Sequence, residues 1–242
     1  MLPGGQAHYL GTVLRRDAGA LVRVFNGVDG EYLARIAAPA RRGSTLTVVE
    51  KLRDQPPETG PWLLFALLKR DATDLVVRQA VELGASRILP VITERTNAAR
   101  VNEDRLRAIV VEAAEQCERL TLPPVDSPAR LDAILTRWPV ERRLFAALER
   151  HAPPPGLSPS RLSPSGLSPS GLSPSGLSPC GLSPPGPAAL LIGPEGGFTA
   201  GEQTWLLRLP FVTPISLGPT VLRAETAAAA GQALLLGMGW AD

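Results

Sequence analysis

The sequence predicts an α/β protein in which a mainly parallel sheet with helices on its faces follows a small β domain. Three observations carry this. From Trp62 onward, apolar runs that read as strands alternate with segments of helical period. Residues 1–55 instead show short alternating runs separated by turn signals. Two glycine-bearing stretches, Leu191–Thr199 and Ser216–Thr226, each follow an apolar run and lead into a predicted helix. In open α/β sheets ligands bind at the carboxyl ends of strands, so these two loops point to one pocket. Either loop alone also reads as an ordinary strand-to-helix turn.

In the first 55 residues, Val22–Phe25 alternates, Asn26-Gly27 marks a turn, and Glu31–Ile36 alternates again with Tyr32, Ala34 and Ile36 on one face. Leu46–Val49 is a third strand after the basic turn Arg41-Arg42-Gly43. Short strands joined this way suggest a compact barrel or meander. Its arginines 15, 16, 41 and 42 either touch a phosphate backbone or are simply solvated turn residues. Asp54–Pro61, with three prolines, reads as a linker. Trp62–Leu68 is a continuous apolar run, as expected of a strand covered on both faces. Thr73 is placed to cap a helix through Leu83, and Gly84 to end it. Arg87–Val91 is the next strand. Asn102, followed by Glu103 and Asp104, opens a helix that runs to about Arg119. Its residues Leu106, Ile109, Val110, Ala113, Ala114 and Cys117 fall on one stripe. Leu144–Leu148 is another strand.

Residues 156–185 are six pentads, GLSPS and close variants, within a foreign stretch spanning 152–187. Proline at every fifth position removes backbone donors, and one leucine per pentad builds no core, so a disordered insertion is expected. Strand Ala188–Ile192, helix Ala200–Leu209, strand Val212–Leu217 and helix Ala224–Leu236 then complete the pattern. Thr199 and Glu202 have capping-box spacing. Glycines 193, 196 and 197 are read as allowing positive φ and close approach of a ligand to bare backbone. The last helix is apolar around most of its circumference, which predicts burial on more than one side, with a subunit interface as the second partner.

The 242 residues, 44% hydrophobic and 20% charged, suit one large or two small domains with a sizeable core. A formal net charge of +2 announces no overall basicity. Lys51 and Lys69 are the only lysines. The arginine excess either suits bidentate phosphate contacts or follows genome composition. Cys117 reads as a small buried hydrophobe and Cys180 as a serine replacement within a repeat. With His8 and His151 they make neither a disulfide framework nor a metal site. No leader segment and no apolar run of membrane-spanning length is read, so a soluble, cytoplasmic protein is expected.

Several stretches together resemble the ribosomal RNA small-subunit methyltransferase E family, the 16S rRNA (uridine-N3)-methyltransferases of the SPOUT superfamily. Gln6–Leu10, Val13–Arg15 and Phe25–Gly27 resemble its N-terminal PUA-like domain; Ala80–Gly84, Thr93–Thr96 and Glu112–Arg119 resemble its central signatures. GPEGGF at 193–198 and the LRAETA motif ending at Ala227 resemble its C-terminal ones. The pentads, and the lack of an arginine-bearing start ahead of Leu2, depart from the family pattern. The resemblance implies a PUA-like RNA-binding β-barrel in 1–55 and a SPOUT methyltransferase domain with a trefoil knot in 56–242. It also implies S-adenosyl-L-methionine (SAM) as methyl donor, no metal, a homodimer with shared active sites, and a uridine of 16S rRNA within the 30S subunit as target.

On that reading, the loops Ile192–Gly197 and Leu217–Leu222 supply backbone partners to the donor. Ile192, Gly193, Gly196, Gly197, Leu217, Gly218 and Leu222 are the candidates, with Leu148 and Glu149 as a third wall. Uracil N3 is a poor nucleophile until its proton leaves. Arg223 is placed to steady negative charge spreading onto the uracil oxygens. Glu195 or Glu225 either accepts the proton or orients Arg223, and Arg223–Glu225 also reads as a plain ion pair at a helix start. Arg15, Arg16 and Arg95 are candidate RNA contacts. A non-catalytic RNA-binding protein on the same fold is the alternative.

Overall fold

The computed structural model describes residues 10, 12, 15–40, 43–97, 100–148 and 186–239. The pentads and the turn Arg41-Arg42 lie outside the described residues. Chain contacts divide the protein into two units: Met1–Pro57 with Glu118–Leu122, and Glu58–Cys117 with Pro123–Asp242.

The first unit is built on an antiparallel sheet of β1 (Leu21–Phe25), β2 (Glu31–Ala40) and β3 (Gly43–Arg53), in that order. The turn between β1 and β2 forms because the Asn26 side-chain oxygen accepts the N–H groups of Val28 and Asp29 at 3.0 and 2.9 Å. Ala34 and Ile36 are buried, as the alternation predicts. β3 is longer than the Leu46–Val49 run, because it pairs with β2 along its whole length through several irregularities of register. Glu31 and Arg53 face each other across that pair, with Arg53 Nε 2.7 Å from the buried Glu31 carboxylate. The short segment Glu118–Leu122 belongs to this unit: Arg53 donates to the Glu118 carbonyl and Gln55 to the Leu120 carbonyl, each at 3.4 Å.

The second unit holds a six-stranded, all-parallel sheet in the order β6-β5-β4-β8-β7-β9. Its elements are β4 (Trp62–Ala66), α1 (Arg70–Glu82), β5 (Arg87–Ile92), α2 (Glu103–Gln116), β6 (Ala129–Arg130), α3 (Leu131–Leu135) and β7 (Arg143–Ala147). They continue with β8 (Ala188–Ile192), α4 (Ala200–Leu206), β9 (Val212–Ile215) and α5 (Ala224–Gly237). β8 is buried at every residue, which its unbroken apolar sequence requires of a strand lying between β4 and β7.

Several helix ends differ from the sequence reading; α4, expected to run to Leu209, stops at Leu206. α1 starts at Arg70, not after Thr73. The Thr73 hydroxyl turns back to the Leu68 backbone, donating to its carbonyl at 3.0 Å and accepting its N–H at 3.3 Å. α2 is capped as expected, with the Asn102 side chain accepting from Arg105 N–H, but it ends at Gln116. Glu118 takes a left-handed φ of 56°, which stops the helix. Cys117 is therefore a C-cap residue and is exposed, not part of the buried stripe. The two-residue β6 and five-residue α3 were not read from the sequence at all.

α5 packs on β8 and α1. Gly231 permits this approach: a Cβ there would lie 2.6 Å from the Leu190 side chain. Ala224, Ala228, Gly231, Gln232 and Leu235 are buried against that side. Thr226, Ala230, Ala233 and Leu236 face outward and are exposed, so one face of an apolar helix has no cover within the described residues.

Candidate active site at the ends of β7, β8 and β9

β7 lies between β8 and β9 and all three run parallel, so their carboxyl ends are neighbours. The segments leaving them gather at one side of the sheet: Leu148 after β7, Gly193–Thr199 after β8 and Ser216–Arg223 after β9. Leu148 is buried, and its N–H donates to the Ile215 carbonyl at 3.2 Å, joining the first and third segments. Glu149 lies outside the described residues.

In the β8 loop the Gly197 N–H closes a turn onto the Pro194 carbonyl at 2.8 Å. Of the three glycines read as allowing positive φ, only Gly197 uses it, at 64°. Gly193 is needed for space, since a Cβ there would meet the buried Phe198 ring at 2.9 Å. Gly196 would place a Cβ in ordinary contact with the Arg95 side chain, 3.5 Å away. The loop ends in the expected capping box: Glu202 N–H donates to Thr199 Oγ1 at 3.2 Å, and Thr199 N–H donates to Glu202 Oε2 at 2.8 Å. Glu195 is exposed at the tip.

The β9 loop is shaped by Ser216, whose hydroxyl donates to the Gly218 carbonyl and accepts its N–H, and by Gly218 at φ 133°. Leu217, Gly218 and Leu222 are half-buried. The amides of Leu217 and Leu222 take no hydrogen bond among the described residues. Arg223 is the N-cap residue of α5 and supplies no side-chain cap, which leaves the first-turn amides of α5 uncapped. Arg223 is exposed, Glu225 is half-buried one turn-start later, and no ion pair joins them. Arg95 donates from Nη1 to the Gly196 carbonyl at 2.7 Å. Arg15 and Arg16 are exposed residues of the first unit, Arg15 with a φ of 49°.

A family profile described as an RNA methyltransferase domain matches residues 57–236, and one described as an RNA methyltransferase PUA domain matches residues 2–49. The ribosomal RNA small subunit methyltransferase E of Rickettsia conorii is 34% identical over 232 residues, covering 95% of this chain and 86% of the relative. The chain belongs to the ribosomal RNA small subunit methyltransferase E family. A Synechocystis protein of the same name is 32% identical over 232 residues, covering 93% of this chain and 69% of its own length. A Legionella pneumophila methyltransferase solved with SAM bound has a TM-score of 0.76 at 26% identity, covering 99% of this chain and 91% of that one.

Within this methyltransferase E family member, the described site suits a nucleoside donor. Its loop after β9 has two amides, Leu217 and Leu222, without a hydrogen bond among the described residues, and Leu148 and Ile192, at the ends of the neighbouring strands, are buried and apolar. Among the described residues, no group of three or more His, Cys, Asp or Glu side chains is placed to hold a metal. No described helix is long and apolar enough to cross a membrane. Sequence reasoning missed one part of the site: Glu202 Oε1 also accepts the N–H of Glu94 at 2.8 Å. Its one trace in the sequence is the paired threonines at 93 and 96, which fold that turn on itself.

Proposed function

We propose that this chain methylates N3 of a uridine in 16S rRNA of the small ribosomal subunit, with SAM as methyl donor. The observation that carries the proposal is the meeting of three adjacent strand ends, with open backbone donors at Leu217 and Leu222, in a chain of the methyltransferase E family. SAM supplies an electrophilic methyl: the S–CH3 bond breaks, its electron pair stays on sulfur as a thioether, and the N3–CH3 bond forms.

The chain's own residues do the rest. Backbone groups of Ile192, Gly193, Gly196, Gly197, Leu217, Gly218 and Leu222, with Leu148 and Glu149, hold the nucleoside end of the donor. Arg223 aims an uncommitted guanidinium at the uracil oxygens, where charge grows as the N3 proton leaves. The uncapped, positive end of α5 adds to the same effect. Glu195 or Glu225 takes the proton or orients Arg223. Arg15 and Arg16 meet the RNA backbone from a PUA-like barrel in residues 1–55, while residues 56–242 form the knotted SPOUT domain.

The protein acts in the cytoplasm as a homodimer that covers the open face of α5; light scattering at micromolar concentration should give the mass of two chains, and a stable monomer would count against a shared site. The test of function is transfer of labelled methyl to 30S subunits and to free 16S rRNA, with the product nucleoside identified. The expected product is N3-methyluridine. Tight donor binding without any transfer to either substrate would instead indicate a non-catalytic RNA-binding protein.

A further inference from the structure

The loop after β8 carries three glycines within five residues, and no ladder hydrogen bond reaches it from the loop after β5, because β4 separates the two strands. Left alone, such a loop samples many shapes and must be ordered each time a ligand binds. Besides its own Gly197–Pro194 turn and the Gln203 amide on the Phe198 carbonyl, two polar contacts tie it to the turn after β5. Arg95 Nη1 donates to the Gly196 carbonyl at 2.7 Å, and its aliphatic stem runs beside Gly196, close enough that a Cβ there would lie 3.5 Å from Arg95 Cδ. Glu202 uses both carboxylate oxygens: Oε2 accepts the Thr199 N–H of the capping box and Oε1 accepts the Glu94 N–H, each at 2.8 Å. A capping box needs only the first of these.

The far side of both contacts is a stiff turn. Thr93 N–H donates to Thr96 Oγ1 at 2.9 Å, the two hydroxyls are 2.9 Å apart, and Thr96 N–H returns to the Thr93 carbonyl at 3.2 Å. Thr93 is buried. The floppy partner is therefore tied to the rigid one, by charge-assisted bonds that are stronger than neutral ones.

We propose that Arg95 and Glu202 are positioning residues that hold the Gly193–Thr199 loop in its donor-binding shape by tying it to the Thr93–Thr96 turn. This rests on the reading that the loop binds the methyl donor. It gives Arg95 a role in the pocket in place of a contact to RNA.

The experiment compares full-length wild type, Arg95→Ala, Arg95→Lys, Glu202→Asp and the Arg95→Ala/Glu202→Asp double variant. SAM binding is measured by calorimetry, 30S binding by filter retention, thermal unfolding by calorimetric scan, and turnover as a function of donor concentration. Arg95→Ala should raise the donor Kd about tenfold, the scale of one lost hydrogen bond to a charged group. It should raise the donor KM likewise and leave 30S affinity and kcat at saturating donor near wild type. Arg95→Lys should recover most of the loss. Glu202→Asp keeps a carboxylate at the helix start but falls short of Glu94, and should shift donor Kd in the same direction. The double variant should cost less than the product of the single effects, because both contacts secure one junction. Should Glu202→Asp fail to fold, the Arg95 variants still decide the matter, since Arg95 is exposed and its described side-chain bond is to a loop carbonyl alone. A donor Kd unchanged in Arg95→Ala beside a lost 30S affinity overturns the proposal and returns Arg95 to the RNA. If wild type takes up no SAM, the donor reading fails with it; if wild type binds SAM and every variant binds equally well, the positioning role alone is overturned.

Discussion

Arg223 has no described partner for its guanidinium and stands where α5 begins, beside the loop whose amides are open. A cation so placed, next to a donor that is itself positive at sulfur, is suited to the acceptor. Arg223→Ala should lower the single-turnover rate by about two to three orders of magnitude while leaving SAM affinity nearly unchanged. Loss of affinity with the rate retained at saturating donor would reverse the assignment. Gly193 tells a different story from the one its composition suggests. Its φ is not positive; the Phe198 ring excludes a side chain there. Gly193→Ala should displace a buried aromatic ring and cost about 1–3 kcal/mol by denaturant unfolding, whereas an unchanged midpoint would show that the ring has room to move. What could be read from the sequence at this scale was what is local. Thr199 and Glu202 are three positions apart and announce their cap. The bond from Glu202 to Glu94 spans 108 positions and ends on a backbone N–H, which no side chain advertises.

The strands and helices of the second unit were legible where they were long and periodic, and failed at their ends. β4, β5, β7 and β8 follow their apolar runs, because strands covered on both faces need nearly uninterrupted apolar sequence, while β9, at the sheet edge, admits Thr213 and Pro214 and is mostly half-buried. The stripe of α2 carried on through Cys117 in the sequence, but a left-handed Glu118 cut the helix short, and nothing about glutamate forecasts that conformation. β6 and α3, at two and five residues, are too short for either pattern to repeat. The β2–β3 pair supplies a test of its own. The Arg53 hydrogen bond holds the Glu31 carboxyl below its ordinary value of 4.5. A carboxyl so depressed adds stability that is fully present above 4.5 and is lost as pH falls below that value through the lowered one. Glu31→Gln should therefore be less stable than wild type near neutral pH, with the gap closing as the solution becomes more acid than 4.5. A gap that stays constant from about pH 6 to about pH 3, followed by chemical denaturation, would show that the pair contributes nothing through charge.

For the whole molecule, the sequence implied an alternating α/β order but not which strands would be neighbours; that is set by crossovers, whose partners are far apart in the chain. One crossover is decisive. β7 and β8 are parallel neighbours, so the chain between Ala147 and Ala188 must run from the carboxyl end of one to the amino end of the other. Such a connection needs about a dozen residues. Removing residues 156–185 outright leaves ten between the strands, 148–155 and 186–187. Deletion with a four-residue spacer in place should keep both the unfolding midpoint and the SAM Kd close to wild type, since loop closure changes by only about 0.6 kcal/mol per doubling of length. Deletion with no spacer should lower the midpoint, and a severe loss from the spacer variant would mean that the pentads do more than connect. The boundary between the two units has a further consequence. The chain crosses it three times, after Pro57, before Glu118 and after Leu122. The first unit is thus not a bead on a string. A gene fusion or a proteolytic cut placed after Pro57 would sever one covalent link of three and strand Glu118–Leu122, with the carbonyls that Arg53 and Gln55 satisfy, on the wrong fragment. Recombination that trades the amino-terminal unit between proteins keeps those two hydrogen bonds only if it carries both pieces.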